Sequence, residues 1–207
     1  MPELCFPADR IVGTLDWVGS YSDDRGPVLA TGGITVPEIE INLEIQGLLG
    51  TEPTSEGVWT PIPDESPVDL GFLNDLPSNA IHSVSILSSR SVVEDSMSAL
   101  RHLAPGLRRL YLGWTGLSDA ALPAIAQLTG LTYLQTFGNN FSDDGVQELV
   151  ALQMLVHLYL EEDTLGFSAF EFTSRLPHLV SLGLQDVPLS PDELERIRQR
   201  LPGVEVG

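Results

Sequence analysis

The run "GNNFSDDGVQEL" (138–149) carries the residue types of a cation site. Counting from Asn140, oxygen-bearing side chains stand at Asn140, Ser142 and Asp144, and Gly145 follows, which is the alternate spacing by which a calcium-binding loop wraps its ion. Such a loop needs a bidentate glutamate at its twelfth position, and that position is Ala151. The Ser-Asp pair also recurs: Ser118-Asp119 lies 24 residues earlier, and Ser190 stands 48 residues later with Asp192 close by. A serine at a fixed place before an apolar periodic run suits a helix N-cap, whose hydroxyl accepts from the first free amides, and the acids that follow favour the positive helix end. The pattern predicts punctuation in a repeat, with no metal. In the third unit Gly166 takes the serine slot and Ser168 follows, which predicts a helix that starts late.

Other chemistries are limited by composition. All ten basic residues are arginine, so the chain has no phosphate-loop lysine, Schiff base or lysine general base. GxGxxG, GxSxG and HExxH are absent. His82, His102, His157 and His178 are scattered without ligand spacing, and His102 and His178 fall near predicted helix ends. His157 and Glu161 share one strand face, but no third partner accompanies them. Cys5 is the single cysteine and reads as a small apolar filler. No catalytic residue and no cofactor are assigned, and the chain reads as non-enzymatic.

The elements that position these residues come from an internal repeat. "LRRLYLGWTGLSDAALPAIAQLTG" from Leu107 aligns without gaps to units starting at Leu131, Leu155 and Leu179, each of 24 residues. Leu110, Leu134, Leu158 and Leu182 share one slot, and Leu117, Phe141, Leu165 and Leu189 share another. Leu-x-Leu at 110–112, 158–160 and 182–184 has the period of a short strand. Leu122, Ile125 and Leu128 are then spaced by three, as are Val146, Leu149 and Leu152, which predicts a helix. One such unit cannot close a core, whereas stacked units bury a continuous one. A fainter unit precedes them, with Ile86 and Val93 in register and Leu100 and Leu103 on its helix, and Leu70, Leu73 and Leu76 have helical spacing farther upstream.

The pattern Leu-x-x-Leu-x-Leu-x-x-(Thr/Asn/Asp/Val)-x-(Leu/Phe) resembles a leucine-rich repeat, and "LSDAAL" at the helix start is similar to the ribonuclease-inhibitor-like class and related bacterial repeats. The resemblance covers about residues 84–207. It implies an α/β solenoid with a parallel sheet on the concave face and helices on the convex face, and a protein-binding role without catalysis. It also implies that residues flanking the strand leucines face the concave side: Arg109, Tyr111 and Gly113, followed at the rim by Trp114, then Tyr133, Gln135 and Phe137. On the next two strands these are His157, Tyr159 and Glu161, then Ser181, Gly183 and Gln185. Tyr, Trp and Arg most often carry interface energy, so the first three strands are the candidate binding surface. The alternative is that the aromatics only stack on one another. Thr115, Asn139 and Asp163 occupy the slot where this class bonds backbone between turns, while Thr136 departs from the pattern by replacing a leucine and either loosens the core or orients Asn139.

Residues 1–66 read as a β-rich N-terminal cap and linker, with 67–207 as the array. "RIVGTLDWVG" and "ITVPEIEINLEI" alternate as half-buried strands, and the proline-rich 47–67 is a loop. A small separate domain is the alternative. Val204 and Val206 predict a last short strand, with Glu205 blunting its edge. The net charge of −19 disfavours nucleic acid and anionic membranes and suits a basic protein partner, or simply solubility. With no apolar run at the start and a lone cysteine, a cytoplasmic setting is expected. The leading expectation is a protein-binding module, bacterial in style. Its specific form is an inhibitor or immunity-type protein neutralising a basic enzyme; an unrecognised N-terminal catalytic domain and an adaptor working through its helices are the competing readings.

Overall fold

The computed structural model describes short strands within residues 3–46 and then residues 70–79, 81–87, 94–161 and 164–207. The strands are β1 (Glu3–Cys5), β2 (Thr14–Trp17), β3 (Val28–Leu29), β4 (Gly33–Thr35), β5 (Ile41–Gln46) and β6 (Ile81–Leu87). The repeats then give β7 (Arg109–Gly113), β8 (Tyr133–Phe137), β9 (His157–Glu161), β10 (Ser181–Gly183) and β11 (Glu205–Val206). Among the described residues they form one nine-stranded sheet in the order β11-β10-β9-β8-β7-β6-β5-β2-β3 and a separate antiparallel pair, β1-β4. From β5 to β11 every neighbour is parallel, whereas β2 runs antiparallel to β5 and β3 antiparallel to β2. The predicted strands at 14–17 and 41–45 therefore join the sheet of the repeats. The loop at 47–67, Val93 and Asp163 lie outside the described residues.

Alternation along each strand sorts the side chains. Leu110, Leu134 and Leu158 are fully buried beneath the sheet, as are Leu107, Leu131 and Leu155 at the turns before the strands. Leu117, Phe141 and Leu165 close the far side of the same core. Burying one such leucine is worth roughly 1.5–3 kcal/mol, so stacking these slots dominates the stability of the array.

The convex elements differ from the expected helices. Glu94–Leu103, Asp119–Ala121, Gly145–Ala151 and Phe167–Arg175 are 3₁₀ turns. Only α1 (Leu122–Ile125) and α2 (Pro191–Arg200) are α-helical among the described residues. A 3₁₀ helix has three residues per turn and aligns positions i and i+3 in a single row, which suits the spacing of three in these segments. Leu122 and Ile125 keep the same spacing in an α-helical turn, so the spacing alone does not select between the two. Met97, Leu100 and Leu103 are spaced by three and fully buried, and so are Val146, Leu149 and Leu152 to within 1% exposure. Leu194, Ile197 and Leu201 in the last unit are spaced by three and then four, the α-helical period, and α2 is a full helix.

The Ser-Asp punctuation also does more than cap its own helix. Ser118 accepts from the Ala120 amide at 3.4 Å and Ser142 from the Gly145 amide at 3.1 Å. Asp119, however, reaches into the next unit, accepting from the Ser142 amide at 2.8 Å and the Ser142 hydroxyl at 2.5 Å. Asp143 repeats this one unit later, accepting from the Gly166 amide at 2.7 Å and from the Ser168 hydroxyl. The third 3₁₀ segment does not start late: it begins at Phe167 with Gly166 as an N-cap that makes no side-chain cap, and Asp143 of the preceding unit accepts from the Gly166 amide as Asp119 does from Ser142. Phe167 takes the aspartate slot and offers Ser190 no carboxylate, and Ser190 instead forms a capping box with Glu193 in its own helix.

Candidate functional site

The sheet face turned away from the helices carries three rows of residues in register. The first row is Arg109, Tyr133, His157 and Ser181; the second is Tyr111, Gln135, Tyr159 and Gly183; the third is Gly113, Phe137 and Glu161. Strands about 4.8 Å apart hold neighbours in a row at stacking distance. Tyr133 lies at the centre, with its ring 4.9 Å from Tyr111, 5.4 Å from Tyr159 and 5.9 Å from His157. The Arg109 guanidinium carbon sits 5.8 Å from the Tyr133 ring centroid. At the strand exits Trp114 meets Phe137 edge-to-face at 4.8 Å and 89°.

Glycines seat these rings. A Cβ on Gly113 would lie 2.1 Å from Cζ of Phe137, and one on Gly183 would lie 2.1 Å from Cδ1 of Tyr159. Gly138 bears the Trp114 indole in the same way, with Cδ1 2.1 Å from the Cβ position. The sequence marked Gly113 and Gly183 as face positions but not as ring seats. The signal was present as a glycine sharing its slot with an aromatic one unit away. The aromatics do stack, as one expectation held, and the tyrosine rings and Phe137 remain half-buried while Trp114 is 48% exposed.

Two polar chains run between the rings. The Tyr133 hydroxyl donates to Gln135 Oε1 at 3.0 Å, and Gln135 Nε2 donates to Glu161 Oε2 at 2.8 Å. His157 Nδ1 and the Tyr159 hydroxyl both bond Ser181 Oγ, at 2.7 and 3.2 Å. His157 and Glu161 thus belong to separate chains, and the structure does not join them as an acid–base or metal pair. Burial pushes the Tyr133 phenol well above the ordinary tyrosine range, with Tyr111, Tyr159 and Glu161 adding to the rise and Arg109 opposing it. Tyr133 is therefore a neutral hydrogen-bond donor at any physiological pH.

The neighbouring slots are structural. Asn139 is 7% exposed; its amide donates to the carbonyls of Leu112 at 3.0 Å and Phe137 at 3.3 Å, and Thr115 donates to its Oδ1 at 2.6 Å. Thr136 does not orient Asn139, because its buried Oγ1 has no hydrogen-bond partner among the described residues. His102 Nε2 bonds the Leu76 carbonyl at 2.6 Å, tying Glu94–Leu103 to the end of a further 3₁₀ turn, Gly71–Asp75, and His178 is exposed.

No family model and no curated protein matches the chain. Among solved structures, internalin C2 of Listeria monocytogenes superposes with a TM-score of 0.53 at 20% identity, over 67% of this chain and 54% of that one. The chain thus spans about half the length of that internalin. The C-terminal domain of tropomodulin from Caenorhabditis elegans superposes with a TM-score of 0.51 at 15% identity, over 65% of this chain and 89% of that domain. A leucine-rich repeat protein of Leptospira interrogans shares 26% identity at a TM-score of 0.43, over 67% of this chain and 32% of that one. The gapless 24-residue units, the parallel sheet they build and the likeness to an internalin together give this chain the α/β solenoid fold of leucine-rich repeat proteins.

Proposed function

We propose that this protein is a non-enzymatic binding module that holds another protein against the open face of its sheet. The observation that carries this reading is the group of Tyr111, Tyr133 and Tyr159 stacked across three consecutive strands, half-buried and with no described helix over them. Rings locked against one another lose little entropy when a partner covers them, and each offers apolar area with a polar handle. Arg109, Gln135 and His157 border the stack, and Trp114, Phe137 and Glu161 extend it to the strand exits.

The partner is basic in this reading, as it would be for an inhibitor-type protein. The net charge of −19 supports that, as does Glu161, which bonds a neutral amide and has no ion pair among the described residues. We further read residues 1–66 as the cap of the array, supported by the way β5 continues the parallel pairing of β6. The test is affinity capture from cells of the source organism with the parent chain and with Tyr111→Ala/Tyr159→Ala. The double variant is expected to lose the captured protein while melting within a few degrees of the parent. Capture by the parent should weaken steeply as salt rises. The same protein retained by the double variant would refute docking through the tyrosine stack.

A further inference from the structure

The convex side changes character between the last two units. Phe167 stands in the slot that holds Asp119 and Asp143 earlier, and its half-buried ring lies against α2 of the following unit. Two guanidiniums of α2 pack on that one ring: the Arg196 carbon is 4.3 Å from the ring centroid and the Arg200 carbon 4.6 Å. The α-helical turn brings the pair together. Residues four apart differ by about 40° around an α-helix but by about 120° around a 3₁₀ helix. The 3₁₀ geometry of Gly145–Ala151 or Phe167–Arg175 would have sent one of the two arginines elsewhere.

Like charges four apart on one helix face repel, and a neighbouring carboxylate is the usual remedy. The chain has 29 acids against ten arginines, yet neither Arg196 nor Arg200 makes a hydrogen bond or an ion pair among the described residues. Glu193 lies one turn before Arg196, but its carboxylate accepts from the Ser190 amide at 2.9 Å and the Ser190 hydroxyl at 2.6 Å; Arg196 acts on it through space. Both arginines are exposed. Stacking occupies the flat face of a guanidinium and leaves its rim of N–H donors open to a ligand.

Charge and shape select that ligand. Two adjacent guanidiniums match a group with about two charges and three oxygens, as a phosphate monoester has near neutral pH, whereas a single carboxylate matches one of them. The net charge of −19 opposes nucleic acid and anionic membranes, which bring many charges at once, far more than it opposes one compact group. On an open surface a free small molecule is touched from one side, while a group carried on a protein gains contact through its flanking chain.

We propose that Phe167, Arg196 and Arg200 form a receptor for a phosphorylated side chain of a protein partner, with the ring as the floor and the two guanidinium rims as the donors. The receptor is on the convex side, apart from the sheet face, and does not rest on docking there.

The test titrates the full chain, labelled with ¹⁵N, with a short peptide blocked at both ends and carrying one phosphoserine among glycines. The Nε–H signals of the two arginines, identified by their loss in Arg196→Lys and Arg200→Lys, are expected to move together and to saturate below about 10 mM. The peptide with unmodified serine should leave them in place. Glutamate at the same position, and inorganic phosphate added alone, should each need at least about fivefold more for half-saturation. Arg200→Gln, a change at an exposed residue that leaves the core intact, should weaken the response at Arg196 about tenfold. Phe167→Leu, which keeps apolar bulk without the ring, should weaken it about threefold. No saturation below about 10 mM, or an unchanged response in Arg200→Gln, would overturn the receptor. Equal half-saturation by the glutamate peptide would overturn its selectivity for phosphate, and equal half-saturation by inorganic phosphate would overturn the protein-borne source.

Discussion

Replacing Thr136 with valine should make this protein more stable. Thr136 is 1% exposed in the middle of β8, in register with Leu112 on one side and Leu160 on the other, and its slot holds leucine in the other three clear units. Its Oγ1 has no hydrogen-bond partner among the described residues. A buried hydroxyl without a partner costs about 1–3 kcal/mol of desolvation. Valine has nearly the same shape, so the substitution removes that cost and leaves no cavity. The expected gain is about 1–2 kcal/mol, toward the lower end because the surrounding core relaxes only in part. For a chain of this length that is a rise in Tm of roughly 2–4 °C per kcal/mol. Urea unfolding followed by circular dichroism should show a higher midpoint with an unchanged slope. Thr115→Val is the matched control: that hydroxyl donates to Asn139 at 2.6 Å, so its loss should destabilise by about 1 kcal/mol. If Thr136→Val is no more stable than the parent, the hydroxyl is satisfied in solution and the reasoning from its burial fails.

Two further predictions test contacts between units and within the tyrosine stack. Asp119→Ala removes two bonds to Ser142 in the next unit and should cost about 1–2 kcal/mol. The Ser142 amide should then exchange with solvent faster, and unchanged protection there would mean that Asp119 does not join the units. Tyr133 should ionise only above the ordinary tyrosine range in an absorbance titration, because burial raises its phenol. The folded chain keeps a proton that the unfolded chain releases near pH 10, so stability should fall as pH rises beyond about 10. Tyr133→Phe should remove both the late absorbance step and that part of the alkaline loss; an unchanged titration would refute the assignment.

Much of this was legible in the residues because a repeat reports itself locally. The slots of Leu107, Leu110, Leu117 and Leu122 recur every 24 positions, and period two gives way to period three inside each unit. That is enough to place strands, core and face, and to assign Arg109, Tyr111, Tyr133 and Tyr159 to one surface. The spacing of three in the convex segments suits 3₁₀ turns but did not single them out, since Leu122–Ile125 has the same spacing and is α-helical. A continuous α-helix from Val146 would have rotated Leu149 and then Leu152 progressively away from the core, yet both are buried. By contrast, what passes between units depends on how far one unit rises and rotates relative to the next, and no single unit encodes that. Only the stacked structure shows Asp119 and Asp143 bonding forward into the following turn rather than capping their own. The same holds for Phe137 lying over Gly113 and Tyr159 over Gly183. The left-handed backbone of Trp114 belongs to this class too: the slot looks like any other until the chain must leave one strand and clear the next, and that crossing decides the sign of φ.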